Sequence, residues 1–250
     1  MKLSGLGCLV ACLATSGCVS DAPKEVEERS ATDLYVMKGI KYLESGRLDV
    51  ARQDLEHAVE LDDNNAEAHN ALGVLYERMN LPEKADEHYR RALALDDGNM
   101  AAANNYARSL CSHGKYDQAM KLFASAIASN AYQTPWLALT SAGICAKSQG
   151  LGADAETYLR KALEANPNFA PALLEMAKIS LEHNNYLSSR AFLQRFESAA
   201  GANPESLWIG VQTEQALGNR KDAEAYRKRL QQQYPDSKEA VRSRTSHAAH

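Results

Sequence analysis

A 34-residue period constrains this chain more than any other feature in it. Within residues 66–99 the run Ala66-Glu67-Ala68-His69-Asn70-Ala71-Leu72-Gly73-Val74-Leu75-Tyr76 precedes Pro82, Ala85, Tyr89 and Ala92. Apolar or small residues recur at helical spacing on both sides of Asn80-Leu81-Pro82, which reads as two amphipathic helices joined by a tight turn. One such hairpin cannot bury its own apolar face. The same pattern 34 residues earlier and 34 residues later supplies the neighbours that do.

Laid out on this period, the chain holds six units, 32–65, 66–99, 100–133, 136–169, 170–203 and 204–237, with a two-residue offset around Thr134-Pro135. Position 8 of a unit is small, as Gly39, Gly73, Ala107, Gly143 and Ala177, and position 20 is small again, as Ala51, Ala85, Ala119, Ala155, Ser189 and Ala223. Position 24 is bulky, as Leu55, Tyr89, Phe123, Leu159 and Leu193, until Arg227 takes it in the last unit. Position 27 is Ala58, Ala92, Ala126 and Ala162 before enlarging to Phe196 and Leu230. Small residues set against large ones at fixed spacing let paired helices approach closely. The expected fold is therefore all-α. Arg227 is expected to face water at an uncovered end of the stack, with the tail 238–250 too polar to act as a sealing helix. Aromatics at 7% and sparse Val and Ile argue against a large sheet, and a net charge of −4 without a basic stripe argues against nucleic acid.

Residues 1–17 are of another kind. Lys2 is followed by the short apolar run Leu3–Ala14 and then Thr15-Ser16-Gly17-Cys18, which resembles a bacterial lipoprotein signal, in which the Cys is lipidated and becomes the new N-terminus. Thr15 stands where such signals usually carry Leu, and an ordinary secretory signal cut near Cys18 is the alternative. Residues 18–31 then form a flexible tether, and regular helix begins near Thr32. Once Cys8 and Cys12 leave with the signal and Cys18 takes the lipid, Cys111 and Cys145 remain, 34 residues apart and late in the first helices of consecutive hairpins. Either a disulfide or two buried free thiols fits that placement. A bridge closing such a loop stabilises by about 3–4 kcal/mol on the chain-entropy model.

The layout resembles the tetratricopeptide repeat, with Leu72-Gly73, Tyr76, Ala85, Tyr89 and Ala92 at the family's positions and Asp97 in place of its closing Pro. The resemblance implies a right-handed superhelix whose concave wall is built from first helices. On that wall fall Val36, Ile40, Leu43, Asn70, Val74, Glu77, Asn104, Arg108, Thr140, Ile144, Leu174, Lys178 and Leu181. The apolar members either hold a bound polypeptide or pack on adjacent helices, and the Asn side-chain amides suit an extended backbone. Val74 stands where a carboxylate clamp of the co-chaperone kind would need Asn, which argues against a chaperone-tail receptor.

Signal, tether and six repeats together resemble the type IV pilus biogenesis and stability lipoproteins, the pilotins of the pilus secretin. The local runs Asn104-Asn105-Tyr106 and Gly114-Lys115-Tyr116-Asp117-Gln118-Ala119, and the pair Cys111 and Cys145, carry that likeness further. It implies a lipoprotein of the outer membrane, anchored at Cys18 and facing the periplasm, that binds secretin subunits and promotes their localisation and multimerisation for type IV pilus assembly and twitching motility; the chain itself is expected to be monomeric. Val19 after the lipid-bearing Cys agrees with outer-membrane sorting. The alternative is a repeat scaffold or adaptor for outer-membrane protein insertion or for peptidoglycan hydrolases. No catalytic constellation, metal set, cofactor motif or small-molecule site is expected, because His57, His69, His88, His113 and His183 lack paired nucleophiles and six repeats leave no room for a catalytic domain.

Overall fold

The computed structural model describes residues 22–247. The signal segment 1–17, Cys18, Val19 and the last three residues lie outside the described residues. Thirteen helices and no strand occur among the described residues: α1 (Ala22–Glu44), α2 (Leu48–Leu61), α3 (Ala66–Arg78), α4 (Pro82–Leu95), α5 (Met100–Ser112), α6 (Tyr116–Ala128), α7 (Pro135–Ser148), α8 (Gly152–Ala165), α9 (Ala170–Glu182), α10 (Tyr186–Ala200), α11 (Pro204–Ala216), α12 (Arg220–Gln233) and α13 (Lys238–His247). The first twelve pair as six hairpins, a tetratricopeptide solenoid.

Each hairpin turns by the same device. Gly46, Asn80, Gly114, Gly150, Asn184 and Gly218 adopt positive φ between 57° and 78° just past the first helix. The following N–H then reaches back to the helix, as Arg47 N to Tyr42 O at 2.9 Å, Leu81 N to Tyr76 O at 2.9 Å and Lys115 N to Leu110 O at 2.8 Å. This satisfies carbonyls that the helix end would leave orphaned, and only Gly or Asn enters that backbone region cheaply. Between hairpins, Asn65 and Asn99 cap the next helix through their side chains, accepting from Ala68 N and Ala102 N at 2.9 Å each. The offset near Pro135 is taken up by the connector 129–134, two residues longer than the four-residue connectors 62–65, 96–99 and 166–169.

Small positions do the work of close approach. A Cβ on Gly39 would stand 2.5 Å from Leu55 Cγ, one on Gly73 2.6 Å from Tyr89 Cδ1, and one on Gly143 2.8 Å from Leu159 Cγ. In the sixth unit the contact moves one residue earlier on both helices, so that Gly210 meets Tyr226 at 2.6 Å. The position 24 residue there, Arg227, is 5% exposed rather than solvated, and its Nη1 donates to Glu224. Ser189, the one non-Ala at position 20, is fully buried and donates to Ala177 O at 3.0 Å, which removes the cost of burying a hydroxyl.

Two ends depart from expectation. The tail does seal the stack: α13 packs on α11 and α12 with Ala240 and Ser243 fully buried. Its small residues three apart make a narrow inward stripe, joined by the buried Glu239, while Val241 and most of the polar residues face outward. At the other end α1 begins at Ala22, so residues 22–31 are helical rather than flexible tether. Pro23 in the first turn and the Glu-rich run after it are compatible with a helix start.

Candidate functional site

First helices of successive units touch one another, α1 to α3, α3 to α5, α5 to α7, α7 to α9 and α9 to α11, whereas second helices do not. A row whose members are closer along one side must curve toward that side, so the first helices form the inner wall. Of the residues expected there, Val36 and Leu43 are 2% and 5% exposed and belong to the core, packed among neighbouring helices. Asn104 is likewise buried, at 7%, and its Oδ1 has no partner. Thr140 and Leu174 are buried too, Thr140 donating to Trp136 O at 2.7 Å. Helices packed this closely leave only the innermost ridge of each first helix open.

That open ridge carries Asn70, Val74 and Glu77 of α3, Asn105 and Arg108 of α5, Ile144 of α7 and Lys178 of α9, with Ile40 of α1 half-buried beside it. Asn105 is the residue that sequence reasoning missed, one step along from Asn104 and therefore about 100° around the helix. Its Nδ2 donates to Asn70 Oδ1 at 3.1 Å, bridging two units. One amide NH₂ and one amide carbonyl of the pair stay free to meet the alternating N–H and C=O groups of an extended chain.

Charges on the wall fall into two zones. Toward the C-terminal end Lys147 pairs with Glu182 at 2.8 Å, and Lys178 pairs with Glu175 at 2.6 Å and Glu205 at 2.8 Å, a ladder across α7, α9 and α11. Hydrogen bonds to both carboxylates raise the Lys178 ammonium above its usual value against the opposing effect of burial. Toward the middle, Glu77, Arg108, Cys111, Tyr116, Ile144 and Cys145 line a depression of about 370 Å³. Cys111 and Cys145 are joined as a disulfide, with Cα atoms 5.9 Å apart, which crosslinks α5 to α7 beneath it.

The histidines are not all scattered surface groups. His69 is buried between α3 and α4, with Nε2 3.1 Å from Asp63 O and Nδ1 3.0 Å from His88 Nδ1. His88 stacks on Tyr76, and burial followed by the neighbouring His69 lowers its proton affinity. This pair lies inside the second hairpin. Among the described residues no three His, Cys, Asp or Glu side chains group as metal ligands.

Family models described as the TPR repeat and the tetratricopeptide repeat match residues 39–80 and 66–99. The chain is 30% identical over 225 residues to the type IV pilus assembly protein PilF of Pseudomonas aeruginosa, covering 90% of this chain and 89% of that protein. The solved structure of P. aeruginosa PilF superposes with a TM-score of 0.75 over 88% of this chain and 99% of its own. That of PilW, described as a widely conserved type IV pilus biogenesis factor, superposes with a TM-score of 0.75 at 27% identity, over 84% of this chain and 96% of its own.

Proposed function

The chain belongs to the tetratricopeptide-repeat family of the type IV pilus assembly protein PilF, and from that premise we propose that it is a pilus biogenesis lipoprotein that carries secretin subunits to the outer membrane. Likeness over nearly the whole length, rather than over one or two repeats, is the observation that carries this reading. A shared repeat alone would be compatible with any polypeptide-binding scaffold.

In mechanism, the inner wall holds a secretin segment through the open groups Asn70, Asn105, Val74, Arg108 and Ile144, and a lipid on Cys18 holds the solenoid at the periplasmic face of the outer membrane. Each buried CH₂ of an acyl chain contributes about 0.8 kcal/mol, so several chains make the anchoring effectively permanent. Membrane attachment then raises the effective concentration of bound secretin at the site of assembly without any new contact. The protein performs no covalent step in this scheme.

Fractionation of cells carrying Cys18→Ala tests it. The secretin is expected to appear in inner-membrane fractions and to lose its heat-stable multimer, with twitching reduced. A secretin that stays fully multimeric in the outer membrane refutes the carrier role. Affinity capture from solubilised membranes separates the alternatives, since secretin in the eluate supports the proposal and a murein hydrolase without secretin supports an adaptor.

A further inference from the structure

The first helices of units two to five each carry one Lys or Arg that the wall has to accommodate, namely Arg78, Arg108, Lys147 and Lys178. Three are spent. Arg78 Nη1 donates to Leu43 O at 2.7 Å, and Lys147 and Lys178 join the carboxylate ladder. Arg108 alone of the four makes neither a hydrogen bond nor an ion pair among the described residues, and it is exposed. It stands at the edge of the depression whose lining includes Ile144, 45% exposed, and the Cys111–Cys145 disulfide. A guanidinium that the chain itself leaves unpaired, next to an exposed branched apolar side chain on a covalently fixed floor, is half of a recognition pair.

We propose that this depression receives an acidic side chain of the bound polypeptide on Arg108 together with an adjacent bulky apolar side chain against Ile144, the disulfide and Tyr116. The planar fork of Arg108 selects a carboxylate, and the apolar wall selects what stands beside it. Glu77 lines the same depression and opposes a second acid. One of its oxygens already accepts the Tyr89 hydroxyl at 3.1 Å, which leaves the other to accept from the occupant. The motif read is therefore a single acid followed by an aromatic or large aliphatic residue, not an acidic run. This assignment rests on the reading that the inner wall holds a polypeptide.

The test uses the full mature chain in detergent and three fluorescein-labelled hexapeptides, Gly-Ser-Asp-Phe-Ser-Gly, its Asn-Phe counterpart and its Asp-Ser counterpart, titrated to millimolar protein by anisotropy. The Asp-Phe peptide is expected to bind roughly fivefold tighter than the Asn-Phe peptide. That advantage should vanish in Arg108→Gln, survive in part in Arg108→Lys, and persist in Ile144→Ser while both affinities fall. Arg108→Gln removes no hydrogen bond or ion pair of the fold, so a folded variant is expected and circular dichroism checks it. Equal binding of acid and amide peptides, an undiminished preference in Arg108→Gln, or no saturable binding by any peptide overturns the proposal. Secretin capture separates this from the carrier reading. Capture unaffected by Arg108→Gln removes the acid-apolar site and leaves the carrier. A wild-type chain that prefers Asp-Phe but captures no secretin removes the carrier and leaves the site.

Discussion

Replacing Gly73 by Ala adds one methyl group at the place where α3 and α4 are closest. The new Cβ would lie 2.6 Å from Tyr89 Cδ1 and Cε1 and 2.9 Å from Cγ, against the 3.4 Å at which ordinary contact begins. The ring cannot turn aside. Tyr89 is fully buried, its hydroxyl donates to Glu77 and its face stacks on Tyr106 with centroids 5.5 Å apart. The helices must therefore separate by about 0.8 Å. Overpacking of this kind costs about 1–3 kcal/mol, against which the Gly to Ala change returns about 1 kcal/mol of helix propensity. The expected net is a destabilisation of up to about 2 kcal/mol, read as a fall in the urea midpoint by far-UV circular dichroism with the slope unchanged. In a Tyr89→Ala background the overlap is gone and only propensity remains, so the same substitution should stabilise by up to about 1 kcal/mol. Equal destabilisation in both backgrounds would refute the close-approach argument.

Three further outcomes are expected. Reducing the mature protein should raise its mass by two hydrogens, and Cys145→Ala should lower stability by about 3–4 kcal/mol on the chain-entropy model, a loss that non-reducing urea melts would register. The buried Glu214 carboxylate takes two hydrogen bonds from Arg190 and one from Asn219, contacts that hold it below the usual carboxylate range. Arg190→Ala strands that charge and should cost about 3 kcal/mol, of which Glu214→Gln in the same chain recovers part. Because His88 holds a proton less readily when folded than its ordinary value of 6.5, its contribution to stability is complete above that value and is lost as pH falls below it, the unfolded chain taking the proton first. His88→Gln should flatten the stability difference between pH 7.5 and pH 5, and an unchanged slope would contradict the assignment.

What the sequence made legible was whatever repeats. Gly and Ala at positions 8 and 20 announce helix contacts directly, because only a missing side chain permits them, and the solenoid followed. The turn device was equally available, since Gly46, Asn80 and Gly114 stand 34 apart, yet it shows only when backbone angles give those residues a common reason. The wall was harder. Whether Val36 or Ile40 is open depends on how tightly successive first helices close, and one residue of error turned Asn105 into Asn104. Average polarity concealed α13, which packs on the stack through Ala240 and Ser243 together with the neighbouring Glu239. Arg108 was named as one wall residue among many, and its lack of a partner became visible only when the other three cations had found theirs.

The early start of α1 alters the geometry of anchorage. With lipid on Cys18, three residues separate the bilayer surface from Ala22, a reach of about 10 Å at full extension, and the ten helical residues to Ala31 rise about 15 Å more. A slack leash of fourteen residues could have roamed to about 45–50 Å. On the proposed anchor, a stiff stalk half as long would keep the opening of the solenoid close above the lipid and narrow the directions it can point, so that cargo would be presented at a set height instead of being swung about.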